Sequence, residues 1–64
     1  MGKNAFSKRD ININESLNFK DIKFLRTGKK GLNRTEINTF LKKKCFIKKK
    51  VIKNSLIRSE NLSF

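Results

Sequence analysis

The sequence predicts an all-α fold, in which a short helix, a basic loop containing glycine and a long basic helix follow an extended N-terminal arm. Three observations carry that reading. Residues 38–58 run without glycine or proline, enough chain for about six helical turns. Phe19, Ile22 and Leu25 recur at helical spacing within residues 17–26. The one alternating stretch, Asp10, Ile11, Asn12, Ile13 and Asn14, is too short for a stable sheet of its own and has no hairpin signal beside it.

Residues 1–16 therefore read as an arm that is ordered only where something holds it. In residues 17–26, Asn18 is a candidate cap and Asp21 suits the positive end of the helix dipole. A helix this short is not stable alone in water, so its apolar stripe must dock on something. Residues 27–35 form a break, where Gly28 and Gly31 permit positive φ and close approach to a ligand, and Lys29, Lys30 and Arg34 add charge. Neither the dinucleotide-binding glycine spacing nor the phosphate-loop pattern is present there. Thr35 or Asn38 is placed to cap the long helix over residues 38–58. On its projection Leu41, Cys45, Ile52 and Leu56 share one stripe, Phe40, Ile47 and Val51 lie beside it, and Phe46 and Ile57 lie on the far side. Residues 1–16 are thus the arm, and residues 17–64 a small helical domain.

Charge narrows the function. The chain carries 17 Lys and Arg against five Asp and Glu in 64 residues, a formal net charge of +12. Lys42, Lys43, Lys44, Lys48, Lys49 and Lys50 crowd around a three-residue apolar step. On a helix, like-charge pairs such as Lys44 with Lys48 cost about 0.2 to 0.5 kcal/mol each. A dense anion is needed to hold such a segment compact, and a polyphosphate backbone is the commonest one. Lysine outnumbers arginine although arginine makes the better phosphate fork. Lys, Asn, Ile and Phe, all encodable by A and T alone, dominate the composition, which points to an AT-rich genome.

Other classes lack their chemistry. Histidine is absent, the carboxylates are scattered at positions 10, 15, 21, 36 and 60, and Cys45 has no base beside it, so no catalytic residue, metal site or cofactor is expected. No run reaches the length of a membrane span, and the first sixteen residues lack the apolar core of a signal peptide. A chain this short has little margin against conformational entropy and no disulfide to help, so its order is expected to depend on a partner.

The order of elements resembles small-subunit ribosomal protein eighteen of the bacterial type. Leu17, Asn18, Phe19, Lys20, Asp21, Ile22, Lys23, Phe24, Leu25 and Arg26 match that family's opening helical segment. Gly28, Lys29, Leu32 and Arg34 match its basic loop, Val51, Ile52 and Lys53 a step in its long helix, and Leu62, Ser63 and Phe64 its ending. Asn33 stands where the family has proline, and Thr35 where it has a second arginine. The resemblance implies a structural constituent of the small ribosomal subunit, bound to rRNA of the platform beside small-subunit ribosomal protein six and other platform proteins. It implies rRNA contacts at Lys29, Arg34, Lys43 and Lys53, and a protein-facing side at Phe19, Ile22 and Leu25. Charge alone adds Lys30, Lys42, Lys44, Lys48, Lys49, Lys50 and Arg58. The expected location is an organellar ribosome, plastid before mitochondrion, with a bacterial cytoplasm as the alternative. Another small basic nucleic-acid-binding protein and a cationic membrane-surface peptide are the competing readings; the second needs a segregated apolar face.

Overall fold

The computed structural model describes residues 3–63. It is not all-α. Two antiparallel two-stranded sheets, β1 (Lys3–Ser7) with β2 (Ile22–Arg26) and β3 (Phe46–Ile47) with β4 (Leu62–Ser63), accompany one helix, α1 (Arg34–Lys42). Single 3₁₀ turns at Phe19–Asp21 and Ser59–Asn61 lead into β2 and β4.

Each departure from the helical expectation has a local cause. Residues 3–16 are no free arm, because β1 pairs with β2 from Lys3 opposite Arg26 to Ser7 opposite Ile22, and Ala5 and Ile11 are fully buried. Residues 17–26 hold one 3₁₀ turn and then a strand. A ten-residue helix has no support of its own, whereas Ile22–Arg26 gains a complete ladder from β1. Residues 38–58 form no continuous helix either. The helix starts earlier, at Arg34, because Asn33 caps it: the Asn33 side chain accepts from the Glu36 amide at 2.9 Å, and the Glu36 carboxylate accepts from the Asn33 amide at 3.0 Å. This reciprocal capping box satisfies two otherwise orphaned donors. The helix stops after Lys42, and Lys44 at φ 53° turns the chain out of helical conformation. Beyond it the chain passes through the two-residue strand Phe46–Ile47 and a bend at Lys48 and Lys49, so the two lysine triplets are not held at helical spacing.

The missing organising feature is an internal repeat. Residues 6–23 and 46–63 adopt the same conformation position for position, an offset of forty residues. The buried residues follow the same offset: Ala5 and Cys45, Ser7 and Ile47, Ile11 and Val51, Leu17 and Ile57, Ile22 and Leu62. Leu32 and Ile37, from the connection between the repeats, complete the core. Both repeats turn through an asparagine with left-handed backbone, Asn14 at φ 73° and Asn54 at φ 67°. Asparagine tolerates that region better than most residues because its short side chain bonds locally. Neither described glycine of the loop uses positive φ. Gly31 serves close approach instead, since a Cβ there would come within 2.6 Å of the Leu56 side chain.

The repeats interlock about a local two-fold axis. At its centre Ile11 and Val51 exchange both backbone hydrogen bonds, 2.8 and 3.0 Å. Outward from there the bonds come in matched pairs. The amide of Asn14 donates to Ile47 O at 2.8 Å and that of Asn54 to Ser7 O at 2.8 Å; Ile47 donates to Glu15 O at 2.9 Å and Ser7 to Ser55 O at 3.0 Å. Each short sheet would be marginal alone; each is completed by the other repeat. Among the described residues no buried side-chain N or O atom lacks a partner. The radius of gyration is 10.4 Å, close to the roughly 11 Å of a folded chain of this length.

Two outcomes follow for stability. Asn54→Ala is expected to cost about 1 kcal/mol in urea unfolding, because alanine keeps the Cβ but loses the side-chain amide that makes left-handed backbone tolerable for asparagine, whereas Asn54→Gly stays close to the parent. Asn14 behaves in the same way. The isolated chain at low salt, without RNA, is expected to give a strand-rich circular dichroism spectrum and one cooperative melt. A spectrum of unfolded chain there would show that closure needs a partner.

Candidate anion-binding surfaces

The acidic side chains are engaged inside the chain. Asp10 accepts the Lys53 amide at 2.7 Å, and Glu15 accepts the Asn12 amide at 2.6 Å. Arg9 holds Glu15 at 3.3 Å and the nearly buried Asp21 at 3.2 Å. The hydrogen bond to Asp21 and the two neighbouring charges raise the Arg9 pKa above its ordinary value. Glu36 is occupied in the helix cap. Glu60 sits 3.7 Å from both Lys49 and Arg58, with all three side chains at least half exposed, where ion pairs contribute little. Basic side chains of the described residues form three groups at the surface.

The first group surrounds β3. Lys42 ends α1, Lys43 is its C-terminal cap, Lys44 makes the left-handed turn, and Lys48, Lys49 and Lys50 follow Ile47. Within this frame Cys45 and Ile47 are buried, while Phe46 is 46% exposed. An exposed aromatic ring flanked by cations is the arrangement on which unpaired bases stack. The second group lies where β1 and β2 meet α1. Lys3 and Arg26 are directly opposed across the strands. The Arg34 guanidinium lies 4.6 Å from the Phe24 ring centroid and 5.8 Å from that of Phe19. Such stacking orients the guanidinium and is worth about 0.5 to 1 kcal/mol at exposed sites. The third group is a groove of about 520 Å³ that brings Lys29, Lys50 and Arg58 together against Phe6, Ile52 and Leu56. Lys30 and Arg58 share a smaller depression beside Gly31.

The sequence-derived residues thus separate. Lys53 stands next to the Asn54 turn, away from any long helix. Ile22 belongs to the core at 4% exposure, while Phe19 and Leu25 are 47% and 44% exposed. Lys3 and Arg26 escaped sequence reasoning because only the strand register opposes them. Phe64, in the segment matched to the ribosomal family's ending, lies outside the described residues. Among the described residues no group of three or more His, Cys, Asp and Glu side chains is placed to hold a metal ion, and no helix is long and apolar enough to cross a membrane.

No family model, curated protein or solved structure matches the chain. Of the two helices that the resemblance to ribosomal protein eighteen implies, the first is a 3₁₀ turn and a strand, and the second is helical only as far as Lys42. The fold it implied is therefore not the fold of this chain.

Cys45 offers a check on the core around these surfaces. It is 1% exposed, and burial pushes its thiol up from the ordinary value. The unfolded chain ionises this thiol near pH 8.5, so the stability tied to the neutral form is complete below that pH and lost as pH rises above it. Alkylation at pH 8 is expected to proceed at the rate of unfolding. Cys45→Ala, which installs the residue found at the two-fold-related position, should remove that part of the alkaline loss in a pH series of urea melts.

Proposed function

We propose that this chain is a non-catalytic binding module for anionic ligands, and that the phosphate backbone of a nucleic acid is the ligand class its charge serves best. One observation carries the reading: the five Asp and Glu side chains all have partners within the chain, Glu60 only weakly, and the excess of cations that makes up the net charge of +12 faces outward. Lysine contacts phosphate as a point charge and reads no base sequence. Binding is therefore salt-sensitive and tolerant of sequence.

Around β3 two lysine triplets flank exposed Phe46, which suits single-stranded RNA, whose bases are free to stack. The protein-facing helix of the ribosomal reading is absent, so contact with small-subunit ribosomal protein six and a place on the platform are not carried forward. The proposal is confined to the RNA backbone and its unpaired bases.

Fluorescence anisotropy with a labelled single-stranded RNA tests this. Log affinity should fall linearly with log salt, with a slope of about −0.7 per phosphate neutralised. Replacing Lys48, Lys49 and Lys50 by glutamine should flatten that slope by about two. Phe46→Ala should weaken binding by about 1 to 3 kcal/mol for the base it stacks while leaving the slope unchanged. Affinity indifferent to salt would overturn the reading.

A further inference from the structure

The two repeats share one backbone but not one charge. In residues 6–23 Lys8, Arg9, Lys20 and Lys23 are opposed by Asp10, Glu15 and Asp21, leaving +1. In residues 46–63 Lys48, Lys49, Lys50, Lys53 and Arg58 are opposed by Glu60 alone, leaving +4. The changes fall at corresponding places. Asp10, Glu15 and Asp21 become Lys50, Ser55 and Asn61, and Asn18 becomes Arg58. The first repeat thus displays how this backbone holds an oxyanion: Arg9 grips the carboxylates of Glu15 and Asp21 at 3.2 to 3.3 Å. The second repeat keeps a cation at the place of Arg9, namely Lys49, adds two more, and puts neutral donors where those carboxylates stood.

That second face is also hollow. The groove of about 520 Å³ is lined by Lys50 and Arg58, by Ser55 and Asn61 at the places of the lost carboxylates, and by Phe6 and Ile52. Its volume lies within the range of small-molecule sites. It combines cations and neutral hydrogen-bond donors with an apolar wall. Lys29 closes one side, brought there by the loop whose carbonyl at Lys29 accepts the Asn4 side-chain amide at 2.9 Å. Glu60 is the one carboxylate in the lining, and its contact to Arg58 is long at 3.7 Å.

We propose that this groove is a binding site for a small molecule carrying a phosphate or carboxylate on an apolar body, the oxyanion taking the place that the Glu15 and Asp21 carboxylates hold in the first repeat. Lys50 and Arg58 bind the oxyanion with help from Ser55 and Asn61, and Phe6 and Ile52 cover the apolar part. Glu60 is a weak internal competitor that an incoming oxyanion displaces. The site adjoins the lysine-flanked Phe46 surface and shares Lys50 with it, but binding there does not depend on RNA.

The test is a titration of the full chain, uniformly labelled with nitrogen-15, with phenyl phosphate, benzoate and inorganic phosphate. Saturable amide shifts confined to residues 50–61, Phe6 and Lys29 are expected. Phenyl phosphate tighter than benzoate assigns the oxyanion as phosphate, and the reverse order assigns it as carboxylate. Inorganic phosphate should bind several-fold more weakly than phenyl phosphate because it leaves the apolar wall bare. Two variants decide the matter. Lys50→Asp combined with Asn61→Asp restores first-repeat residues that this backbone already accommodates, and should abolish the saturable shifts while the remaining spectrum stays dispersed. Glu60→Gln should tighten binding several-fold. Shifts spread over all lysine amides without saturation, or binding unchanged in the double variant, would overturn the proposal. RNA anisotropy on the same variants separates the two readings, since Phe46→Ala should weaken RNA binding and leave the phenyl phosphate shifts intact.

Discussion

The backbone exchange between Ile11 and Val51 at the local two-fold axis is the constraint on which the rest of the molecule depends. Neither short sheet has enough strands to stand alone, and α1 is too short to be stable without tertiary contacts. Joining the repeats at that axis places Ala5, Leu17 and Ile22 against Cys45, Ile57 and Leu62, and so generates one core from two incomplete ones. The connection between the repeats then closes the remaining side with Leu32 and Ile37. Gly31 lets the loop lie against Leu56 where any Cβ would collide.

Symmetry of backbone with asymmetry of charge gives the halves different work. The first repeat comes within one charge of neutrality and ties two of its carboxylates to Arg9. The second gathers its excess of cations around a groove and an exposed phenylalanine, with Glu60 as its one carboxylate. Because the two halves share a core, the charged half is supported by the nearly neutral one and can carry repulsion it would not survive alone.

The features legible in the sequence are those with short-range causes. Charge and the presence of some helix beyond the basic loop both depend on nearby residues. The helix start was written in Asn33 and Glu36, a three-residue spacing that a search for Thr35 or Asn38 as caps passes over. The spacing of Phe19, Ile22 and Leu25 fits a helix as well as the turn and strand actually formed, and only β1 decides between them. The repeat was also present as a pattern, since Ile11, Leu17 and Ile22 are spaced as Val51, Ile57 and Leu62. It is faint because identical residues are few and the lysine runs mask the second copy. Of the basic surface, the list of cations was legible, but their division into three groups was not. Lys3 is set opposite Arg26 only by the β1–β2 register, and Phe6 and Lys50 come to one groove only through pairing between the repeats.

The central pair has a further consequence for the route to the native state. Ile11 and Val51 are forty residues apart, and the matched bonds around them join positions at comparably large separations. Neither repeat can gain its stabilising partner until most of the chain has been synthesised and the loop between them has closed, so the entropy of closure is met before the ladder repays it. A nascent first repeat emerging alone exposes Ile11, Leu17 and Ile22 with no counterpart. For a chain of this size the topology makes assembly slow and late, a cost borne in time that the length of the sequence would not lead one to expect.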